Sequence, residues 1–345
     1  MEGLNIKQLS ASVSAIAEEK NLPEEVVLDI IEQSIAAAWK HDNECKELNA
    51  RAILNTENGT AKVIVHYDIV ETPEDPSQLS LAEAKKIDKK AMINGMIENE
   101  YEAKTFGRVA AQVAKQVLIQ KLREAEREVV AQQFEGRTGE ILSGTVVRIE
   151  PRVVRIDLGK GEGIMTLGEQ VPGERFTVGS RIKVLLKDIE RDQRGATLIL
   201  SRAAPDFVKT LFVQEVPEIE TGAVEIKAVA REAGKRTKIA VLSSVPGVDS
   251  VGTFVGAKGV RVQAVMNEIG DTEKIDIVTF DKDIKNFIAN ALSPAEIQKI
   301  DMDEAEKKAI VYVDEAQKSI AIGKQGQNVR LASMLTGYEL EIATE

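Results

Sequence analysis

The amino-acid sequence predicts a multidomain protein of the α+β class, and three changes of pattern along its 345 residues support this prediction. Residues 1–137 combine helical periodicity with two β-like runs. Residues 138–203 hold five short β-rich runs, most of them separated by glycine-rich turns, and an alternating α/β pattern then occurs twice, in residues 204–280 and 281–345. We therefore expect four domains with these bounds.

The first domain is predicted to be helical with a small sheet. Apolar residues recur at helical spacing in PEEVVLDIIEQSIAAAWKH. Two β-like runs follow, ELNARAIL and TAKVIVHYDIV, and the turn between them contains Asn58 and Gly59, which is typical of a β-hairpin. Residues 80–134 are predicted to be one long helical stretch with an amphipathic second half.

The second domain is predicted to be a small closed β-barrel of the OB-fold, because its strands are short and their turns contain GKGEG and VPGE. OB-folds bind single strands by stacking bases on aromatic rings along a basic groove. Phe176 is the only aromatic residue between Gly139 and Arg202, so the sequence leaves open whether this barrel contacts bases or only spaces its neighbours. The residues that give it a basic face are Arg148, Arg152, Arg155, Lys183 and Lys187.

An internal repeat defines the last two domains. The segments FVGAKGVRVQAV (254–265) and AIGKQGQNVRLA (321–332) align without a gap, with an apolar residue before Gly-x-x-Gly and a valine after it. Two β-like runs precede each copy, and a helix and a last strand follow it. Gly-x-x-Gly in this context is the mark of the KH domain. We predict two tandem KH domains of the prokaryotic type (type II).

The Gly-x-x-Gly loops are the predicted RNA-binding sites. Phosphates approach main-chain amides closely only where no Cβ intervenes, and a lysine in each loop adds positive charge. Apolar neighbours would line a groove for bases, and polar residues of the following helix could reach base edges or phosphates. The alternative is that each loop is an ordinary turn between helices. The predicted RNA-binding set is Val255, Gly256, Ala257, Lys258, Gly259, Arg261, Val262, Ile322, Gly323, Lys324, Gln325, Gly326, Asn328, Val329 and Arg330.

Charge and composition limit the possible functions. The net charge of −11 argues against indiscriminate coating of nucleic acid. The charge is uneven, however, because the segment from Arg231 to Arg261 contains six basic residues and only two acidic ones, so RNA is expected to bind there. A single cysteine, Cys45, excludes an intrachain disulfide and a cysteine-based metal site. GTFVGAKG departs from the P-loop pattern, and His41 and His66 are far apart in the sequence. We expect no catalytic residues, metal, cofactor or membrane segment, and a monomer in the cytoplasm.

In its order of domains the chain resembles the NusA family of bacterial transcription factors. The runs KTFGRVAAQVAKQVLIQKLREAERE, VGAKGVRVQAV and IGKQGQNVRLAS carry the resemblance, and the barrel resembles the ribosomal-protein S-one type. The resemblance implies an elongation factor, not an enzyme, that binds the flap region of the RNA polymerase β subunit and single-stranded nascent RNA. It implies effects on pausing, intrinsic termination and antitermination, with other Nus-type factors as partners. Arg108 and Lys115 would then face the polymerase or the exiting transcript.

Two other functions remain open at this point. KH and OB domains also occur in RNA-decay enzymes such as polynucleotide phosphorylase, but there the KH domain precedes the barrel. A protein-interaction scaffold whose KH domains no longer bind RNA is the third possibility. If the chain binds RNA, its two KH domains are expected to act together. The short connection after Phe280 predicts that they pack as one unit. Aspartate at Gly256 or Gly323 is expected to weaken RNA binding with the fold mostly intact.

Overall fold

A computed structural model describes residues 6–45, 47–103, 106–192, 195–270 and 272–344. The chain forms two compact units. The first runs to Gln133 and also includes residues 191–196, and the second comprises residues 134–190 and 197–345.

Within the described residues, the first unit packs helices against a four-stranded sheet. The long central strand pairs antiparallel with its two neighbours and, at its end, parallel with a short third strand. The helices are α1 (Ile6–Ala11), α2 (Val13–Lys20), α3 (Glu24–Asp42), α4 (Leu81–Ile87) and α5 (Arg108–Gln132). The strands are β1 (Asn49–Asn55), β2 (Thr60–Val70), β3 (Gln78–Ser80) and β4 (Met96–Ala103).

The predicted β-hairpin is confirmed, but the prediction of one helical stretch over residues 80–134 is wrong in its first half. That half contains α4 and then β4, which pairs with β2 along its whole length. In MIENEYEA the glutamates point outward, while Ile97 and Ala103 are buried. Lys62 of β2 donates to Glu100 of β4 at 2.8 Å. Pairing with β2 therefore overrides the helical preference of a glutamate-rich segment.

A contact with the end of α3 fixes the start of the long helix α5. The Gly107 N–H donates to Asp42 Oδ2 at 3.0 Å, so the carboxylate at the end of α3 anchors the N-cap residue of α5. Buried residues of α3, among them Ile31 and Ile35, pack in one core with Ala110 and Ala114 of α5. The exposed face of α5 is thereby set by the packing of α3.

The barrel closes in the order expected for an OB-fold. Its five strands neighbour one another in the order first, second, third, fifth and fourth, with a parallel contact between the third and the fifth. A Cβ on Gly144 would lie 2.4 Å from Ile156 Cγ2, so this tight closure depends on glycine. The strands are β5 (Ile141–Glu150), β6 (Val153–Asp157), β7 (Glu162–Thr166), β8 (Arg181–Asp192) and β9 (Gly195–Ser201).

Two α-β-β-α-α-β units follow, each with a three-stranded sheet in which the last strand lies parallel to the middle one. This confirms two KH folds of the prokaryotic type. The first consists of α6 (Pro205–Glu215), β10 (Val224–Glu232), β11 (Arg236–Ser243), α7 (Ser250–Val255), α8 (Val260–Ile269) and β12 (Lys274–Thr279). The second consists of α9 (Ile284–Ala291), β13 (Lys299–Asp303), β14 (Lys308–Val313), α10 (Glu315–Ile322), α11 (Gln327–Thr336) and β15 (Glu339–Thr344).

The two KH domains share one hydrophobic core, so the expectation that they pack as one unit is confirmed. The outer face of the first sheet contributes Ala230, Ala240 and Val278, and α9 and α11 of the second domain cover it. Glu232 of β10 also accepts hydrogen bonds from Arg330 and from Gln327 Nε2 of α11, the latter at 3.0 Å. A shared core leaves little freedom for separate motion of the two domains.

A network of buried arginines joins the barrel to the first KH domain. Arg202 follows β9, and its guanidinium donates to Glu174 of the barrel and to Glu268 of α8. Arg231 is paired with Glu273 at 2.8 Å, and both side chains are fully buried. Arg231 also donates to the carbonyl oxygens of Arg202 and Ala204 at 2.7 and 2.8 Å. The direction in which the chain enters the first KH domain is therefore fixed.

Replacement of Glu273 by alanine is expected to reduce the free energy of unfolding of the KH region by about 3–5 kcal/mol, because Arg231 keeps a buried charge without its carboxylate. Urea denaturation followed by far-UV circular dichroism measures the loss. Trp39, the only tryptophan, serves as a control because its fluorescence reports on the first unit. The double variant R231M/E273L should recover most of the loss. A cost below about 1 kcal/mol for Glu273→Ala would contradict the assigned role of the pair.

The contact between Glu232 and Arg330 should make the KH pair sensitive to acid. The hydrogen bond from Arg330 lowers the pKa of Glu232 below its ordinary value of 4.5. The stabilisation is therefore complete above about pH 4.5 and is lost as the pH falls through the lower folded-state pKa. Glu232→Gln should cost about 0.5–1 kcal/mol at pH 7 and less at pH 2. Denaturation at both pH values measures this, with Glu306→Gln as the control at an exposed glutamate. An equal cost at both pH values would rule out the ion pair as its source.

Candidate nucleic-acid interface

The two Gly-x-x-Gly loops have the same backbone conformation. Gly256 has φ 74° and ψ 169°, and Gly323 has φ 73° and ψ 173°. The third residue of each loop is left-handed, at φ 56° for Lys258 and 54° for Gln325, and the second glycine is left-handed as well. Each loop joins the end of one helix to the start of the next. The internal repeat in the sequence is thus a repeat in geometry.

The first glycine of each loop cannot be replaced without moving the backbone. Its φ and ψ lie in a region that is almost confined to glycine. A Cβ on Gly256 would be 2.8 Å from Arg261 Cγ, and a Cβ on Gly323 would be 2.8 Å from the Asn328 backbone nitrogen. Aspartate at Gly256 or Gly323 would therefore distort the loop itself, so weaker RNA binding of these variants would not separate the effect of charge from the effect of loop shape.

The second glycine of each loop is different. Gly259 and Gly326 are left-handed, with φ 79° and ψ 13° and with φ 72° and ψ 14°, a conformation that aspartate and asparagine tolerate. The nearest atoms to an added Cβ are 4.0 and 3.9 Å away, so there is room for a side chain. These positions allow a charge to be placed in the loop with little strain.

Arg261 and Asn328 occupy equivalent positions and brace their loops. Arg261 donates to the Thr253 carbonyl at 2.8 Å and is paired with Glu218. Asn328, which is only 4% exposed, donates to the carbonyl oxygens of Ile320 and Ala321 at the end of the preceding helix. The predicted contact of Asn328 with RNA does not fit this burial, because its amide is committed to the fold. Both side chains position the loop.

Arg330 is exposed, but it is not available as a free cation. Its Nε donates to Glu232 of the first KH domain, and its Nη1 donates to the Gln325 carbonyl at 3.2 Å. The second loop is thus connected to the first domain through one guanidinium. Sequence analysis missed Glu218 and Glu232 as partners of the loop arginines, because contacts with carboxylates so far away in the sequence leave no local signal.

The remaining predicted residues are accessible at the loops. Ala257, Lys258, Lys324 and Gln325 are exposed, and the apolar neighbours of the loops are half-buried. Neither loop lysine has a carboxylate within 4.0 Å among the described residues. Val260, which directly follows the first loop, is 66% exposed and was not predicted as a contact. The half-buried apolar set is Val255, Val262, Ile322 and Val329.

Most of the basic charge counted between Arg231 and Arg261 is used inside the fold. Arg236 is paired with Asp276 at 2.6 Å, and Arg231 and Arg261 have carboxylate partners of their own. Lys238 is fully buried, and its burial lowers its pKa although Asp276 lies 3.4 Å away. The cations left exposed in that segment are Lys235 and Lys258. The charge count therefore overstates what an RNA strand could use.

The predicted basic face of the barrel is similarly neutralised. Arg155 lies between Glu150 and Glu162, at 3.1 and 2.8 Å. Glu150 also pairs with Arg148, Lys187 pairs with Glu169, and Lys183 is 3.9 Å from Glu268 of the first KH domain. Of the five residues predicted for this face, Arg152 is the one without an ion pair among the described residues. This favours spacing over base contact as the role of the barrel.

Arg108 and Lys115 lie on one exposed face of α5, two helical turns apart. Gln112 and Ile119 belong to the same stripe, and Ile119 is 41% exposed. In the part of the chain that the structure describes, neither cation has a carboxylate within 4.0 Å. The structure thus brings the two predicted docking residues together without assigning their partner.

No group of three or more histidine, cysteine, aspartate or glutamate side chains is placed to hold a metal ion in the described part of the chain. Among the same residues, none of the helices combines the length and the apolar character that a membrane span needs.

Comparison with known proteins agrees with this architecture. Four family models match successive segments of the chain: the NusA N-terminal domain over residues 8–128, the S1 RNA binding domain over 135–201, the NusA-like first KH domain over 202–280 and the NusA-like second KH domain over 284–345. Together these models cover most of the chain, and their order along it is the order of the domains in the structure.

Similar proteins match over almost the whole length. The transcription termination/antitermination protein NusA of Bacillus subtilis is 41% identical over 339 residues, which are 98% of this chain and 91% of that protein. The proteins of the same name from Halalkalibacterium halodurans and Thermus thermophilus are 42% and 37% identical, and the matches cover 97% of this chain and 87% and 89% of those proteins. The matched domain order and these full-length similarities place the chain in the NusA family.

Proposed function

We propose that the chain is a transcription elongation factor that binds RNA polymerase and nascent RNA and modulates pausing, intrinsic termination and antitermination. It acts without catalysis of its own and without a metal or cofactor. The proposed functional domains are residues 1–137 for polymerase binding, 138–203 for the barrel, and 204–280 and 281–345 for the two KH domains. We further propose that the protein is a monomer in the cytoplasm.

The observation that carries this proposal is the pair of equivalent loops in one packed KH unit. Each loop offers a backbone without Cβ atoms at its first and last residues and one exposed lysine. Because the two domains share a core, their relative orientation is already fixed. An RNA strand that binds both loops therefore avoids the entropic cost of ordering one domain against the other. We propose that phosphates lie on the loops and that bases lie against the half-buried apolar residues beside them.

Affinity for free RNA should be modest. Few cations remain unpaired near the loops, and stacking aromatics are scarce in a chain that is 4% aromatic. Residues 1–137 carry seven more acidic than basic side chains, which opposes RNA binding by that domain alone. We propose that docking on polymerase compensates, because it holds the KH loops near the transcript and raises their effective concentration.

For the docking itself we propose the flap region of the polymerase β subunit as the partner of the N-terminal domain. Arg108 and Lys115 would face either the polymerase or the exiting transcript, because both project from one side of α5. Other Nus-type antitermination factors are proposed as further partners. Support for these partners comes from family membership, with the exposed and unpaired state of the two cations as the structural observation.

Aspartate at the second glycine of each loop should weaken RNA binding. In Gly259→Asp/Gly326→Asp a carboxylate faces the phosphate while the left-handed backbone is kept, so affinity for single-stranded RNA should fall by about tenfold or more. Gly259→Asn/Gly326→Asn is the matched control, with the same shape and no charge, and should lose much less. Fluorescence anisotropy with a labelled single-stranded RNA measures both variants. Equal affinities of the aspartate, asparagine and parent proteins would show that the loops are mere turns.

Charge reversal on α5 should separate polymerase binding from RNA binding. Arg108→Glu/Lys115→Glu in the full chain should weaken binding to a polymerase elongation complex by about tenfold. Affinity for free RNA should not change, because the KH loops are untouched. Arg152→Glu/Lys160→Glu, with the same change of charge on the barrel, is the control. Interferometry on immobilised elongation complexes measures the affinity. An equal loss of affinity in both double variants would show that the change in net charge, and not the face of α5, causes the effect.

A further inference from the structure

The segment from the end of α4 to the start of β4 exposes apolar side chains that the proposed function does not use. Met92 and Met96 are 74% and 76% exposed, and Ile87 and Ile93 are about two-fifths exposed. Exposed apolar residues that occur singly are ordinary. Four of them within ten residues are a local concentration of exposed apolar side chains, which is what a contact site requires. We call the exposed side chains of residues 85–96 the 85–96 surface.

The backbone under this surface is held in place. A capping box of Ser80 and Glu83 starts α4, and the Lys90 N–H donates to Asp88 Oδ1 at 2.9 Å. At the far end, the Asn94 N–H donates to the Ile69 carbonyl at 2.8 Å, and the Ile69 N–H donates to the Gly95 carbonyl at 2.9 Å. The loop therefore continues the pairing of β2 and β4, and a partner would not have to order it.

The same surface is strongly basic in an acidic domain. It carries Lys85, Lys86, Lys89 and Lys90 against the single acidic residue Asp88. All four lysines are exposed, and none of them has a carboxylate within 4.0 Å among the described residues. Elsewhere in the first unit Lys20, Lys62 and Lys121 each pair with a glutamate. The unpaired charge thus coincides with the exposed apolar side chains.

The chemistry of the 85–96 surface favours a protein over RNA. Single-stranded RNA is held by stacking of its bases on aromatic rings or guanidinium planes, and residues 85–96 contain neither an aromatic residue nor an arginine. Methionine adapts to irregular apolar partners, and the positive charge of the nearby lysines attracts carboxylates. A helix with an apolar face flanked by aspartate or glutamate would satisfy both groups at once.

We propose that the 85–96 surface is a docking site for an acidic amphipathic segment of another protein, separate from the face of α5 that carries Arg108 and Lys115. The apolar side chains of the segment pack between Met92 and Met96, and its carboxylates pair with the lysines. The site rests on the proposed function only in so far as the partner is sought among proteins of transcription.

Methionine methyl NMR on the full chain tests this proposal directly. The chain has seven methionines, of which Met92 and Met96 report on the surface and Met334, itself 55% exposed, serves as a control in the second KH domain. Met92→Leu and Met96→Leu assign the two signals. The probes are a synthetic amphipathic peptide with a leucine face and glutamates, the same peptide with lysines in place of glutamates, and a single-stranded polyuridine RNA.

The acidic peptide should shift the Met92 and Met96 signals and leave Met334 in place, whereas the lysine peptide should shift neither. K85E/K86E/K89E/K90E should weaken binding of the acidic peptide by about tenfold or more, whereas the matched variant K160E/K282E/K285E/K307E should keep it within about twofold. Absence of a shift with the acidic peptide, equal shifts with both peptides, or saturation of the Met92 and Met96 signals by RNA would each overturn the proposal. In the RNA titration, the signals of Met266 and Met334 report binding to the KH domains. A lack of RNA binding by the KH domains, which would count against the proposed function, is therefore seen independently of the result for the 85–96 surface.

Discussion

The candidate interface depends on the absence of a Cβ at Gly256 and Gly323. Because these positions carry no side chain, the helix after each loop can approach the end of the helix before it, and Arg261 or Asn328 reaches back to the carbonyl oxygens of that preceding helix. Each brace fixes the exposed middle of its loop, where the lysines lie. One steric constraint thus sets the turn, the position of the charged residue and the open side of the loop.

Ion pairs in the second unit serve assembly more than ligand binding. Arg202 and Arg231 connect the barrel to the first KH domain, and Arg330 connects the two KH domains through Glu232. The buried pairs of Arg202 and Arg231 contribute little net stability, but they are costly to break, so they act mainly to fix geometry. The surface that we propose for RNA is therefore a small set of lysines on a rigid support. Such a surface suits a factor that relies on proximity to the transcript for its occupancy.

The first unit distributes its cations differently. Its sheet pairs lysine and arginine with glutamate across strands, as in Lys62 with Glu100 and Arg51 with Glu98. The described cations of this unit that have no carboxylate within 4.0 Å lie mainly at two places, the exposed face of α5 and the 85–96 surface. An acidic domain with local basic sites disfavours non-specific contact with nucleic acid and keeps attraction at chosen positions. This distribution fits protein docking as the main task of the domain.

The sequence by itself determined the class of each domain, the hairpin, the strand order implied by the KH repeat and the positions of both loops, because periodicity and glycine spacing are local properties. Only the tertiary structure decided that residues 96–103 form a strand, because pairing with β2 is a long-range contact. It also decided which cations are free. Arg231, Arg236 and Arg261 look alike in the sequence, but carboxylates from distant segments neutralise all three, and burial confines Asn328 to the fold. The loop residues could therefore be named from sequence, whereas their division into exposed side chains and braces depended on neighbours that only folding brings together.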